Sequence, residues 1–182
     1  MTLRARFALS HPAQADALPD EAALQQALTS LRAAGHAAWP GLTVPEDALA
    51  EHLARRWPGA PDAPDPCAWM AGLDAAGLVL CCGCLQQRPA ALALFESQIL
   101  AQVGRYLAGL SPRGPRDVFE DEVRQQLREK LLVGAPPALP RLADYSGQGA
   151  LGSFVRVIAV RAGLDLLRRG SDKREVAFDE DR

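Results

Sequence analysis

The apolar period between Pro89 and Leu110 limits what this chain can fold into. Leu92, Phe95, Ile99, Val103, Tyr106 and Leu110 recur at intervals of three and four, which lines their side chains along one face of an α-helix. Two further stripes follow. Phe119, Val123, Leu127 and Leu131 mark a helix over residues 116–133, and Leu151, Val155, Ile158, Ala162 and Leu166 mark another within residues 144–169. Amphipathic helices bury such stripes against one another, so the expected fold class is all-α, a helical bundle. Aromatic residues are only 5% of a chain that is 48% hydrophobic. Ala and Leu dominate, a composition that favours helices over strands.

Ahead of these stripes the sequence predicts a helical hairpin. Residues 1–18 have no clear period and are expected to form a loose arm. A helix starts after Asp20, the expected N-cap, carries Leu24, Leu28 and Leu31, and is expected to stop at Gly35. Trp39-Pro40-Gly41 reads as a turn. Thr43 to Glu46 has capping-box spacing, with Pro45 in the first turn of a second helix bearing Leu49, Leu53 and Trp57. Trp39 and Trp57 are expected to pack this hairpin. Residues 58–66 read PGAPDAPDP, with four prolines, a stiff linker composition. The expected domains are therefore a helical extension with its linker (1–66), a main helical domain (67–170) and the start of a second linker (171–182). Within the main domain a first helix is expected over residues 69–87, and residues 134–140 are expected to break the chain.

Charge is distributed unevenly. The net charge is −2, which argues against a chain that is basic throughout. Residues 1–75 hold five basic and nine acidic residues, residues 86–170 hold twelve and eight, and residues 171–182 hold three and five. A basic second half between acidic flanks fits a polyanion-binding module with an accessory segment. The acidic extension is expected to pack over the basic surface and restrain it. Cys67, Cys81, Cys82 and Cys84 lack the second CxxC or histidine pair of a structural zinc site, and their ordinary role is as small core residues. No GxSxG, P-loop, HExxH or usefully spaced acid pair is present. No uninterrupted apolar run reaches membrane-spanning length, and the N-terminus is not a secretory signal. The expected location is the cytoplasm.

The most informative stretch is DYSGQGALGSFVRVIAVRAGLDLLRR, residues 144–169. A turn-prone segment, Tyr145 to Gly149, leads into a helix bearing Arg156, Arg161, Arg168 and Arg169 against the single acid Asp165. Phe154, Arg161, Asp165 and Arg168 share a face by spacing. Arg161 and Asp165 could equally form only a surface ion pair.

With the helices in this order, residues 92–169 resemble region two of bacterial RNA polymerase sigma factors of the extracytoplasmic-function type, in the sigma-70 superfamily. Three pieces carry the resemblance: the amphipathic helix ALALFESQILAQVGRYLAGL; the helix FEDEVRQQLREKLL, whose Glu120-Asp121 and Val123 match an "E-D-x-V" pattern; and residues 145–169, similar to the family's small-residue loop, "W-L-x-x-I-A" helix and terminal "D-L-L-R-R". Trp39-Pro40-Gly41 and the Ala-rich extension resemble an extended subgroup with myxobacterial members. Phe154 stands where the family usually has Trp, Arg161 where Asn often follows, and Arg124-Gln125 where Gln-Glu is usual. The family's region four, a helix-turn-helix reading the upstream promoter element, is absent from these 182 residues. This is expected of the N-terminal part of a longer protein or of a truncated one.

The resemblance implies a non-catalytic specificity subunit with no cofactor and no metal. Its partners would be core RNA polymerase, at the clamp coiled coil of the largest subunit, and the non-template strand of a promoter −10 element. An anti-sigma factor is a further implied partner; a membrane is not. The implied polymerase contacts are Glu120, Asp121, Arg124, Gln125 and Arg128. The implied DNA contacts are Arg141, Tyr145, Gln148, Phe154, Arg156, Arg161 and Arg168. Tyr145 and Phe154 would stack on bases or wedge between them, the arginines would neutralise phosphates, and the backbone around Gln148 would approach a flipped base; the alternative for Tyr145 is to cap the core, and for Phe154 to lie in it. The alternative is a sigma-like helical interaction or regulatory protein that does not bind DNA. An enzyme or metal protein using the cysteines with His36 or His52 is a third possibility.

Overall fold

The computed structural model describes residues 1–134 and 138–180, with side chains as far as Arg169. Parts of the expected 134–140 break and of the 171–182 linker therefore lie outside the described residues. The described residues form nine α-helices joined by turns and short 3-10 and π segments, with no strand among them. The class is all-α, as the stripes predict.

The N-terminal arm is folded. Leu3–Ser10 form α1, capped by the Thr2 side chain. The Leu3 and Arg4 amides donate to the two Glu21 carboxylate oxygens at 2.9 and 2.8 Å, placing an anion on the positive end of the helix. Phe7 is fully buried, its ring edge-on to Trp57 at 5.8 Å. The arm has too few apolar anchors to show a period, since only Leu3, Phe7 and Leu18 are buried. Glu21–Ala38 form α2, and Asp20 caps it by accepting the Ala23 amide at 2.7 Å. This helix runs through Gly35, its expected stop. A Cβ at Gly35 would lie 2.4 Å from Val79 Cγ2 and 2.6 Å from the Ala75 carbonyl, so the glycine permits a close helix crossing.

Glu46–Arg56 form α3, which starts after Pro45 with no side-chain cap. The expected capping box does not form: Glu46 instead accepts from Gln25 at 2.5 Å and pairs with Arg32 at 2.8 Å. Trp39 closes the end of α2 by donating its indole N–H to Ala76 O at 2.8 Å, and Trp57 donates to Pro64 O at 3.0 Å, holding the Pro-rich segment to the end of α3.

The helix expected over 69–87 is two: α4 (Pro66–Ala71) and α5 (Ala75–Leu85). Asp74 starts α5, its Oδ1 accepting the Gly77 amide at 2.9 Å. Helix α5 is the central element, with Leu78, Val79, Leu80, Cys81 and Cys84 all fully buried. Each buried leucine contributes about 1.5–3 kcal/mol. Helices α2 and α3 pack on α5 from the N-terminal side of the Pro-rich segment, and α6 (Pro89–Leu94) packs on it from the other side. A single apolar core runs from Leu3 to Ala162. The segment expected to divide appendage from domain therefore lies over one continuous core and does not separate a core of its own.

The stripe that follows is interrupted. Phe95–Ile99 form a π turn and Leu100–Gln102 a 3-10 turn, before α7 (Val103–Tyr106). The wide turn carries five residues where an α-helix would carry four, so Phe95 and Leu100 are both fully buried and Ile99 is only half-buried. Arg116–Arg128 form α8, continued by a π turn over Glu129–Val133. Phe119, Val123, Leu127 and Leu131 are buried, as their spacing predicts. Leu151–Glu180 form α9. Leu151, Val155, Ala159 and Ala162 are buried, with Ile158 and Leu166 partly so. Its backbone stays helical to Glu180, where a linker is expected. Helix α9 packs mainly on α8, α7 and the 95–99 turn. The acidic N-terminal helices lie against α5, not over α9 as their charge suggests. No described helix is long and apolar enough to cross a membrane.

Candidate nucleic-acid interface

The turn before α9 is anchored from three directions. Asp74 Oδ2 accepts the Leu151 amide at 3.0 Å and the Tyr145 hydroxyl at 2.8 Å, while its Oδ1 caps α5. The Asp74 amide donates to Gly147 O at 2.8 Å. From α3, His52 Nε2 lies 2.6 Å from Tyr145 O. A neutral imidazole therefore carries its proton on Nε2 to donate here. Burial lowers the His52 pKa, the bond to Tyr145 opposes that, and the charges of Arg56 and Arg55 add to the lowering. Gly147 has φ +82°, and a Cβ there would meet Leu78 Cδ1 at 2.7 Å. The turn chemistry is thus set by where α5 lies.

This arrangement corrects the role expected for Tyr145. Its side chain is 1% exposed, its hydroxyl lies 2.8 Å from both Asp74 Oδ2 and Gly149 O, and its ring packs 5.4 Å from that of Phe154. Burial, then the bond to Asp74, raises the phenol far above its ordinary value. Tyr145 closes the core and offers no face to a base. Phe154 is half-buried beside it, leaving part of its ring open.

The other expected DNA contacts divide by charge pairing. Arg141 is exposed but paired with Asp144 at 2.9 Å. Arg168 lies 4.0 Å from Asp165, so Asp165 pairs there rather than with Arg161. Gln148, Arg156 and Arg161 are exposed. Neither Arg156 nor Arg161 has an ion pair or side-chain hydrogen bond among the described residues. Val157, Arg161, Leu164 and Arg168 share one face of α9 by spacing, and Val157 and Leu164 are 51% and 38% exposed. The result is an open strip in which cations alternate with apolar side chains.

Sequence reasoning missed a cleft beside this strip. It has a volume of about 220 Å³ and is lined by Arg105 and Tyr106 of α7 and by Gly152, Ser153 and Arg156 of α9. Burial raises the Tyr106 phenol against the opposing pull of Arg105 and Arg156, so both cations act on the same hydroxyl. Only the packing of α7 on α9 brings these residues together. The one local hint is an arginine beside a stripe tyrosine, which is too common to single out.

Of the five residues expected to meet polymerase, Asp121 and Gln125 are exposed, whereas Glu120, Arg124 and Arg128 are half-buried, Arg124 and Arg128 reaching Leu100 O and Glu96 of the preceding segment; all five are already partnered. Arg116 binds Glu120 at 2.9 Å, and Arg124 pairs with Asp121. Gln125 donates to Glu129 at 3.2 Å, and Arg128 grips Glu96 at 2.5 and 3.1 Å. Val118, near the start of this helix, is 59% exposed. Among the cysteines, Cys81, Cys82 and Cys84 are buried and Cys67 is half-buried. Burial pushes the Cys82 and Cys84 thiols up to about 12. No cluster of three metal-ligating side chains occurs among the described residues. Comparison of the chain with protein-family models, with curated proteins and with solved structures found no match.

Proposed function

We propose that this chain is the polymerase-docking, strand-binding part of a sigma-type transcription initiation factor. In this reading α8 docks on core RNA polymerase, and the outer face of α9 with the turn before it holds the non-template strand of a promoter −10 element. The observation that carries the reading is the pair of unpartnered, exposed cations on α9, Arg156 and Arg161. Among the described residues nine arginines, from Arg6 to Arg168, lie within ion-pair distance of a carboxylate; Arg156 and Arg161, like Arg105 and Arg113, do not, and these two stand on α9 next to exposed Val157 and Leu164. Single strands are bound by cations that track phosphates and by apolar or aromatic faces that receive bases. With Tyr145 buried, Phe154, Val157 and Leu164 are the groups available for the bases. On α8 the exposed Arg116–Glu120 and Arg124–Asp121 pairs contribute only about 0.2–1 kcal/mol each, so exchanging them for contacts with a partner costs little, and Val118 supplies an apolar anchor.

Two measurements test this reading together: co-purification with core RNA polymerase, and anisotropy of a labelled single-stranded deoxyoligonucleotide. Both should report a complex, and Arg161→Gln should weaken the strand complex several-fold, since one phosphate contact is lost. No complex with core polymerase would remove the sigma reading. A polymerase complex without strand binding would favour the second reading, a helical interaction protein. Exposed Val118, Val133 and Leu139 support that reading.

A further inference from the structure

The cleft between α7 and the first turn of α9 gathers donors that nothing inside the described structure satisfies. Arg105 and Arg156 bring two positive charges to one place, and neither has a carboxylate or other side-chain partner among the described residues. The Tyr106 and Ser153 hydroxyls, which line the same space, also lack an intrachain side-chain hydrogen bond. Like charges held together without a counterion repel each other, and an external anion relieves that repulsion. Two guanidiniums and two hydroxyls suit a tetrahedral oxyanion, whose oxygens accept from several directions at once. Gly152 keeps the cleft open: a Cβ there would come within 3.2 Å of Tyr106 Oη.

We propose that this cleft is a phosphate seat, and that it takes one backbone phosphate of the strand held on α9. The assignment to a strand rests on the strand-binding reading above; the seat itself does not. A phosphate fixed here sets the register of the strand along α9, because Arg161 and Arg168 follow on the adjoining face. The same chemistry would admit a free phosphate or phosphomonoester, so the two sources must be separated by experiment.

The test uses the full chain and two probes. Inorganic phosphate is titrated while the arginine side-chain NMR signals are followed, and a single-stranded deoxyoligonucleotide of about eight nucleotides is titrated at several salt concentrations. Four variants are compared: Arg105→Gln, Arg156→Gln, Gly152→Val, and Arg161→Gln as a cation outside the cleft. Phosphate should shift the Arg105 and Arg156 signals. Arg105→Gln, Arg156→Gln and Gly152→Val should abolish that response, and Arg161→Gln should preserve it. With the oligonucleotide, Arg105→Gln and Arg156→Gln should each cost about tenfold in affinity and lower the salt slope by about 0.7. Gly152→Val retains both charges and should weaken binding only by closing the cleft.

An absent phosphate response, or one that survives Gly152→Val in a chain shown to be folded by its amide spectrum, overturns the seat. A phosphate response with oligonucleotide affinity unchanged in both cleft variants, but reduced by Arg161→Gln, overturns the strand assignment. A phosphate response in a chain that binds no oligonucleotide upholds the seat and removes the strand-binding reading.

Discussion

The Tyr145 hydroxyl donates to Asp74 Oδ2 at 2.8 Å, and that same oxygen accepts the Leu151 amide at 3.0 Å. With Oδ1 on the Gly77 amide, one carboxylate ties the starts of α5 and α9 together. The cationic strip is therefore positioned by an acid far from it in sequence.

Asp74→Ala removes the N-cap of α5 and leaves the Leu151 amide without its acceptor, while the Tyr145 hydroxyl keeps Gly149 O. A lost cap costs about 1 kcal/mol and an unsatisfied buried donor about 1–3 kcal/mol, so a total loss of about 2–4 kcal/mol is expected in urea unfolding. Tyr145→Phe should cost about 1–2 kcal/mol with oligonucleotide affinity unchanged. A large, selective loss of strand binding in that variant would return Tyr145 to the interface.

Two neighbouring glycines should respond differently to alanine. Gly147 (φ +82°) has Leu78 Cδ1 2.7 Å from the position of an added Cβ, whereas Gly149 (φ +79°) has nothing within 4 Å. Both substitutions carry the left-handed backbone cost of about 1–2 kcal/mol. Gly147→Ala adds overpacking of about 1–3 kcal/mol. The difference between the two midpoints measures how tightly α5 holds the turn, and equal midpoints would contradict the packing described.

His52 should make stability depend on pH. Burial depresses its folded pKa, so below the ordinary histidine value of about 6.5 the unfolded chain takes up a proton that the folded chain refuses. Stability at this site is intact above about pH 6.5 and is lost as pH falls from there through the lower folded value. The slope approaches about 1.4 kcal/mol per pH unit. His52→Gln has no such titration, and its stability-versus-pH curve should be flatter over that window. A curve of unchanged slope would assign the effect to other groups.

Gly35→Ala tests whether the Pro-rich segment separates independent domains. The added methyl meets Val79 and the Ala75 carbonyl, and a helix backbone cannot step aside. A loss of about 2 kcal/mol or more is expected, in a single transition that α8 and α9 follow. Two separate transitions, with the second at the wild-type midpoint, would restore the division at residue 66.

The helical class and the inward faces of α8 and α9 are legible in the sequence. Phe119, Val123, Leu127 and Leu131 declare their face by spacing alone, and Asp20 declares a helix start by its place before the stripe. Spacing misplaces Ile99, because a π turn changes the period from within, and it misses α1, because three anchors make no period. Gly35 has the local signature of a stop and is a crossing point. For the interface, the sequence shows that residues 156–168 carry cations. It does not show that Arg156 is open, that Arg141 is paired, or that Tyr145 is inside.

Helical class, the position of most apolar faces and the concentration of arginine on one helix all follow from neighbours within a few residues along the chain, so the sequence alone settles them. Which of those residues can act is settled by packing. Tyr145 is withdrawn by Asp74 and His52, 71 and 93 residues away, and Arg156 gains Arg105 as a neighbour only because α7 packs on α9. Burial and charge pairing depend on which distant element arrives beside a side chain, and local spacing carries no record of that.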